Sequence, residues 1–186
     1  MPVLIAGLVL FTLVHLSPNI AALRGHLIAK HGETAYKLGF SALSLIAFGL
    51  IIIGMRDATY VQVWLPPVWL HLFVLPIMYV AFFFLATTLV PSNMPRLVKH
   101  PMSIGVILLC LAHLLVNDDL AAMVLFGSFA IFSVIHVLLA SWRNEPRVEK
   151  RFPWQLEAMP IAVGGILLIV SFLLHGRLIG VPPGIH

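Results

Sequence analysis

Cysteine is nearly absent: Cys110 stands alone, so no intrachain disulfide and no cysteine-based zinc cluster can form. Charge is scarce too. Lysine, arginine, aspartate and glutamate make up 10% of the 186 residues, where a soluble domain carries about a quarter. Such a chain cannot cover itself with a water-solvated surface. Glycine/serine linkers, low-complexity runs and a second composition class are also lacking, so residues 1–186 read as a single transmembrane domain.

What fills the sequence is apolar: 61% of residues are hydrophobic and the mean hydropathy is +1.05. Residues 1–23, 38–55, 58–95, 100–117, 120–142 and 158–176 contain no Asp, Glu, Lys or Arg. Each holds, or nearly holds, the roughly 17–25 residues that cross a bilayer as helix. Pro66-Pro67 divides the longest stretch, leaving a span from about Val68 to Leu89. The first stretch has no basic segment before its apolar run and its first charge is Arg24, so it reads as a retained span rather than a secretory signal. The expected fold is therefore all-α, a polytopic bundle of about six transmembrane helices. The first should run to about Ala22, with a polar return from Arg24 to Lys37; the second covers about Leu38 to Met55. The fourth opens at Pro101, the fifth ends near Ser141 and the sixth covers about Ala158 to Leu174. Asp118 or Asp119 suits the cap of the fifth.

The net charge of +4 follows topology and does not call for nucleic acid. Arg24, Lys30, Lys37, Arg96, Lys99, Arg143, Arg147, Lys150 and Arg151 fall between spans on one side, and Arg56 and Arg177 on the other. The positive-inside rule then puts both termini outside and the three basic loops in the cytoplasm, with the bilayer as principal partner.

Nine histidines are unusual in so apolar a chain. His26, His31 and His186 lie in loops or the tail, where solvation accounts for them. His71 and His175 sit near outer span ends, where an interfacial hydrogen bond suffices. His15, His113 and His136 are deeper, and a buried imidazole must satisfy both ring nitrogens without bulk water. A helix–helix hydrogen bond is one explanation and a functional site the other. The helical rise puts His15 about 20 Å from the outer start of the first span and His113 about 18 Å from the inner start of the fourth. Both then fall just past the midplane from opposite faces, where two imidazoles could hold one metal as haem iron is held. Iron, copper and zinc all accept neutral imidazole. Gly7 and Gly105 would let a flat macrocycle approach the backbone, or serve helix packing. The segment Gly7 to Leu16 aligns without gaps on Gly105 to Leu114, which suggests an inverted repeat. His100 opens the fourth span beside Lys99 and Arg96, a place suited to an anion such as a headgroup phosphate.

The pattern Val14-His15 with Ala22-Leu23-Arg24, Lys99-His100-Pro101-Met102 with Gly105, Leu111-Ala112-His113-Leu114-Leu115 with Asn117, Asp119-Leu120-Ala121, and Leu178-Ile179-Gly180-Val181-Pro182 resembles the NnrU family of bacterial membrane proteins. Its relative is the plant and cyanobacterial 15-cis-zeta-carotene isomerase. The resemblance spans essentially the whole chain, and its most specific part is His100-Pro101 followed thirteen residues later by His113. It implies a multi-pass protein of the bacterial inner membrane that binds haem b through His15 and His113. His100 belongs to the same motif as a catalytic or tuning residue. It further implies either isomerisation of a hydrophobic polyene or an accessory role beside a partner complex in nitrogen-oxide respiration (denitrification). Lys99 stands where the family usually has arginine, and the isomerase's longer loop region is missing.

A rival resemblance is to membrane methyltransferases of the isoprenylcysteine carboxyl methyltransferase type, which use S-adenosylmethionine. Lys99 to Gly105 matches their first motif without its tyrosine, and Arg143 to Glu149 matches their Arg/Glu segment with Pro146 interrupting it. The remaining alternative is a non-catalytic membrane assembly factor in which the buried histidines only bridge helices.

Overall fold

Helix boundaries follow the prolines, glycines and short polar side chains. A computed structural model of the chain describes residues 1–142 and 150–179, with backbone alone for 177–179. Among the described residues the fold is all-α, a bundle of apolar helices, with one isolated backbone bridge between Gln62 and Asp119. The chain forms two compact units, Met1–Val61 and Gln62–His186.

In the first unit α1 (Pro2–Leu16) stops six residues before the expected end. Pro18 lacks the N–H that would continue the ladder, and the Ser17 hydroxyl donates to the Val14 carbonyl at 2.7 Å. A 3₁₀ turn (Ser17–Asn19) leads into α2 (Ala21–His31), so the polar return is helical where a loop was expected. Gly32, at φ +85°, ends α2 in a conformation that favours glycine, and α3 (Glu33–Arg56) starts five residues earlier than the hydropathy suggests. Lys37 and Glu33, one turn apart, form an ion pair at 2.8 Å that supports this extra turn. α1 packs along α3 through small residues. A Cβ on Gly54 would collide with the Leu4 backbone, and one on Gly7 would meet the Ile51 nitrogen at 2.8 Å. Leu4, Ala47 and Ile51 fill this seam.

The second unit is built on α4 (His71–Ala86), preceded by a 3₁₀ turn at Val68–Leu70 and carrying Pro76 internally. The hydroxyls of Thr87 and Thr88 bond back to the carbonyls of Phe84 and Leu85, both at 2.7 Å, and end the helix near Ala86 rather than Leu89. A single turn, α5 (Met94–Leu97), precedes α6 (Pro101–Leu114), which opens at Pro101 as expected. α7 (Leu120–Trp142) begins where the Asp119 carboxylate accepts the Ala122 N–H at 3.2 Å, the expected cap. α8 (Ala158–Ile179) follows a 3₁₀ turn at Trp154–Glu157.

α4 is flanked by α6 and α8, and α7 packs on α6. Glycine again sets the approach: a Cβ on Gly105 would meet the Ala81 carbonyl at 2.9 Å, and one on Gly164 the Phe83 nitrogen at 2.9 Å. The loop before α5 is pinned to the start of α8. The Glu157 carboxylate accepts the Ser92 hydroxyl at 2.9 Å and the Asn93 N–H at 2.5 Å, while Asn93 and Phe152 exchange side-chain and backbone bonds, both 2.9 Å.

Pro2–Asn19, Glu33–Arg56, Val68–Ala86, Leu120–Trp142 and Trp154–Gly176 are long and apolar enough to cross a membrane. The remaining expected span, Pro101–Leu114, is apolar but has 14 residues, about 21 Å of helix. Leu45, Leu72, Ile131 and Leu173 are more than 60% exposed, which suits contact with lipid tails and not with water.

Candidate functional site

The three expected site histidines, His15, His100 and His113, stand at helix ends. His15 is the penultimate residue of α1, in the first unit, and His113 the penultimate residue of α6, in the second. With the helices ending at Leu16 and Leu114, each imidazole occupies the last turn of its helix rather than a position beyond the middle of a longer one.

The His15 ring lies flat against Phe11, with centroids 3.8 Å apart, and edge-on to Phe40 at 5.2 Å. Its Nδ1 donates to the Phe11 carbonyl at 2.9 Å. A carbonyl only accepts, so the neutral ring carries its proton on Nδ1 and its lone pair on Nε2. Metal-ligating histidines commonly show this pattern, their second nitrogen donating to a backbone carbonyl. Beside this turn the first unit carries an open, mostly apolar groove of about 500 Å³, lined by Leu13, Val14, His31, Tyr36, Phe40 and Leu43.

His113 is set by the second unit alone. Its ring stacks on Phe126 of α7, with centroids 4.0 Å apart and planes within 4°. His175 of α8, a helix that like α6 packs on α4, has its ring centroid 6.2 Å from that of His113 and its plane within 16°. The Asn117 amide donates to the His113 carbonyl at 2.7 Å and approaches Nδ1 at 3.3 Å. With the amide so placed Nδ1 accepts, which leaves the proton on Nε2. Ligation through Nε2 therefore requires Asn117 to swing so that its oxygen accepts from Nδ1–H. A short cross-link covers this end of the unit: Val63 N–H donates to the Asp118 carbonyl at 2.8 Å and Trp64 Nε1–H to the Asn117 carbonyl at 2.9 Å.

His100 is the residue before α6, as its His-Pro step predicts, and it pairs with His136 of α7. Their ring centroids are 6.4 Å apart and their planes nearly perpendicular. The buried Ser103 hydroxyl lies 3.2 Å from His136 Nδ1. Thirteen helical residues separate His100 from His113, roughly 20 Å, so they belong to opposite ends of α6. His71 bonds locally, donating from Nδ1 to the Val68 carbonyl at 3.2 Å.

Gly7 and Gly105 serve helix packing, the second of the two roles expected of them. The space beside each is taken by a neighbouring helix, Ile51 of α3 in one case and Ala81 of α4 in the other, so a macrocycle has no access there. The same contacts speak against the inverted repeat, because Gly7 faces the next span and Gly105 the preceding one.

The sequence did not mark His175 or Phe126. Their link to His113 depends on the rotation of α7 and α8 about their axes, which uniformly apolar helices do not encode. The Arg143 to Glu149 segment and the Gly180 to Pro182 tail, together with His186 and the Arg177 side chain, lie outside the described residues. No cluster of three or more metal-binding side chains occurs among the described residues.

A protein-family model described as NnrU protein matches residues 3–183. No curated protein and no solved structure matches the chain.

Proposed function

The chain belongs to the NnrU family, and from that premise we propose that it is a multi-pass protein of the bacterial inner membrane that binds one haem b, which His113 would help to hold. His15 is the second ligand that the family resemblance implies. The observation that carries the reading is the setting of His113. Its imidazole is clamped against Phe126, has a second imidazole within reach and has an amide at Nδ1 able to act as the outer hydrogen-bond partner of a ligand.

When bound, the haem supplies redox-dependent electron density, which in the isomerase branch serves to turn a cis double bond of a polyene. The chain's own residues do the rest. Phe126 fixes the ring plane of His113, Asn117 would set the ligating tautomer once its oxygen turns to accept from Nδ1–H, and the helices keep bulk water away. His15 holds its own proton on Nδ1 through the Phe11 carbonyl. His100, with His136 at hand, is placed to tune access from the other end of α6. An accessory role beside a nitrogen-oxide respiratory complex is compatible with the same haem.

The direct test is an absorption spectrum of the detergent-solubilised protein, oxidised and dithionite-reduced. A Soret band that sharpens and shifts on reduction is expected, and His113→Ala should abolish it. Absence of any such band from protein purified after haem-supplemented expression would sink the reading. Activity is read separately, by incubating oxidised and reduced protein with a cis-polyene and separating the isomers. Conversion is expected only in the reduced sample.

A further inference from the structure

We propose that the groove beside the last turn of α1 binds one anionic phospholipid, with an acyl chain lying between α1 and α3 and the headgroup phosphate on Arg24 and Lys30 of α2. The site lies wholly within the first unit and does not depend on a haem.

The groove exists because two antiparallel helices differ in length. Leu4 of α1 meets Gly54 of α3, and His15 near the other end of α1 meets Phe40. Pro18 prevents α1 from continuing, whereas α3 reaches seven residues past the Phe40 contact to its start at Glu33, about 10 Å of helix. α2 crosses this end without closing it. It buries none of its residues, and its Leu27 and His31 form one wall of the groove. Leu13 and Val14 of α1 and Phe40 of α3 supply apolar surface opposite. Gly39 also lines the groove, and a Cβ added there would meet nothing within 4 Å. The volume of about 500 Å³ falls within the roughly 300–1,000 Å³ typical of small-ligand sites, and such walls suit a flexible apolar chain.

Charge decides what that chain is attached to. Residues 17–40 carry Arg24, Lys30 and Lys37 against a single carboxylate, Glu33, which Lys37 engages at 2.8 Å. Among the described residues no carboxylate pairs with Arg24 or Lys30. Each of these two stands three residues from Leu27, so both cations flank a side chain that lines the groove. A neutral hydrocarbon or a zwitterionic lipid leaves this charge unmatched. An anionic headgroup above an acyl chain matches rim and groove together, and the inner leaflet, on which the basic loops are expected, is where anionic lipids meet basic segments.

The experiment offers the full-length, detergent-purified protein an equal mixture of phosphatidylglycerol and phosphatidylcholine with the same acyl chains and reads the bound lipid by native mass spectrometry. The wild type should retain one phosphatidylglycerol per chain in clear preference to phosphatidylcholine. Arg24→Gln and Lys30→Gln, both at exposed positions, should each lower that preference about fivefold. Gly39→Phe should fill the groove and abolish retention of either lipid, with a thermal midpoint no lower than that of the wild type because a helical glycine is replaced. If that variant fails to fold, the two charge variants still decide. Arg56→Gln, at the other end of α3, should keep the wild-type preference, which separates a local site from an effect of net charge. Equal retention of the two lipids by the wild type, a phosphatidylglycerol adduct that survives Gly39→Phe, or equal losses in Arg56→Gln and Arg24→Gln would each overturn the site. Displacement of phosphatidylglycerol by an equal amount of oleate would assign the groove to a fatty acid and overturn the phospholipid.

Discussion

At the scale of the residue, the question is where two imidazoles keep their protons. His15 has a carbonyl at Nδ1 and is already the tautomer with an Nε2 lone pair, whereas His113 faces the Asn117 amide nitrogen and holds the reverse. In the proposed haem site, ligation by His113 would therefore couple to Asn117. Outer hydrogen-bond partners of metal ligands change affinity by about 10–100-fold. Asn117→Asp supplies a pure acceptor for Nδ1–H, raises the basicity of the imidazole and favours ferric iron. Its haem midpoint potential should fall below that of the wild type in a redox titration. Asn117→Leu removes the acceptor and should release haem about 10–100-fold more readily to an apo-haem acceptor. Equal potentials and equal loss rates in both variants would show that Asn117 does not act on the ligand.

At the scale of the element, glycine decides how closely helices approach, and two positions should respond with opposite sign. Gly54 of α3 lies against the Leu4 backbone of α1, so Gly54→Ala forces the seam apart. Overpacking of this kind costs about 1–3 kcal/mol, and more where backbone is the obstacle. Gly127 of α7 has open space around it, and Gly127→Ala should leave stability unchanged or raise it by up to about 1 kcal/mol through helix propensity. Thermal unfolding in detergent separates the two, and equal midpoints would remove glycine packing as the determinant of the α1–α3 seam. The same scale shows what was legible beforehand. Hydropathy located all the apolar helices, Pro101 marked the start of α6 and Asp119 the cap of α7. It misjudged ends where a local hydrogen bond outweighs hydropathy: Ser17 and Pro18 cut α1 short, and Thr87 and Thr88 stop α4. It gave no sign of Glu157 binding Ser92 and Asn93, a contact across more than sixty residues that alternation of apolar side chains cannot encode. The candidate histidines could be picked out from the sequence as imidazoles set in an apolar chain. Their partners could not, because Phe126 and His175 reach His113 only through the azimuth of α7 and α8.

At the scale of the whole molecule, charge orients what hydropathy only locates. Nine of the eleven basic residues fall in the segments after the first, third and fifth apolar stretches. Moving them across a bilayer is disfavoured, so the expected topology has Arg24 to Lys37 on the cytoplasmic side and Arg56 on the other. α2, which carries Arg24, His26, Lys30 and His31 and buries none of its residues, suits a helix lying along the inner surface, its basic side chains facing anionic headgroups. Thr34 and Thr59 are exposed on the two sides of α3, while the lone Cys110 is buried, so single cysteines at these positions report topology over a silent background. In spheroplasts a membrane-impermeant maleimide should label Thr59→Cys and spare Thr34→Cys until the membrane is opened. Labelling of Thr34→Cys alone would invert the chain, put both termini in the cytoplasm and move the His113 end of α6 to the inner face.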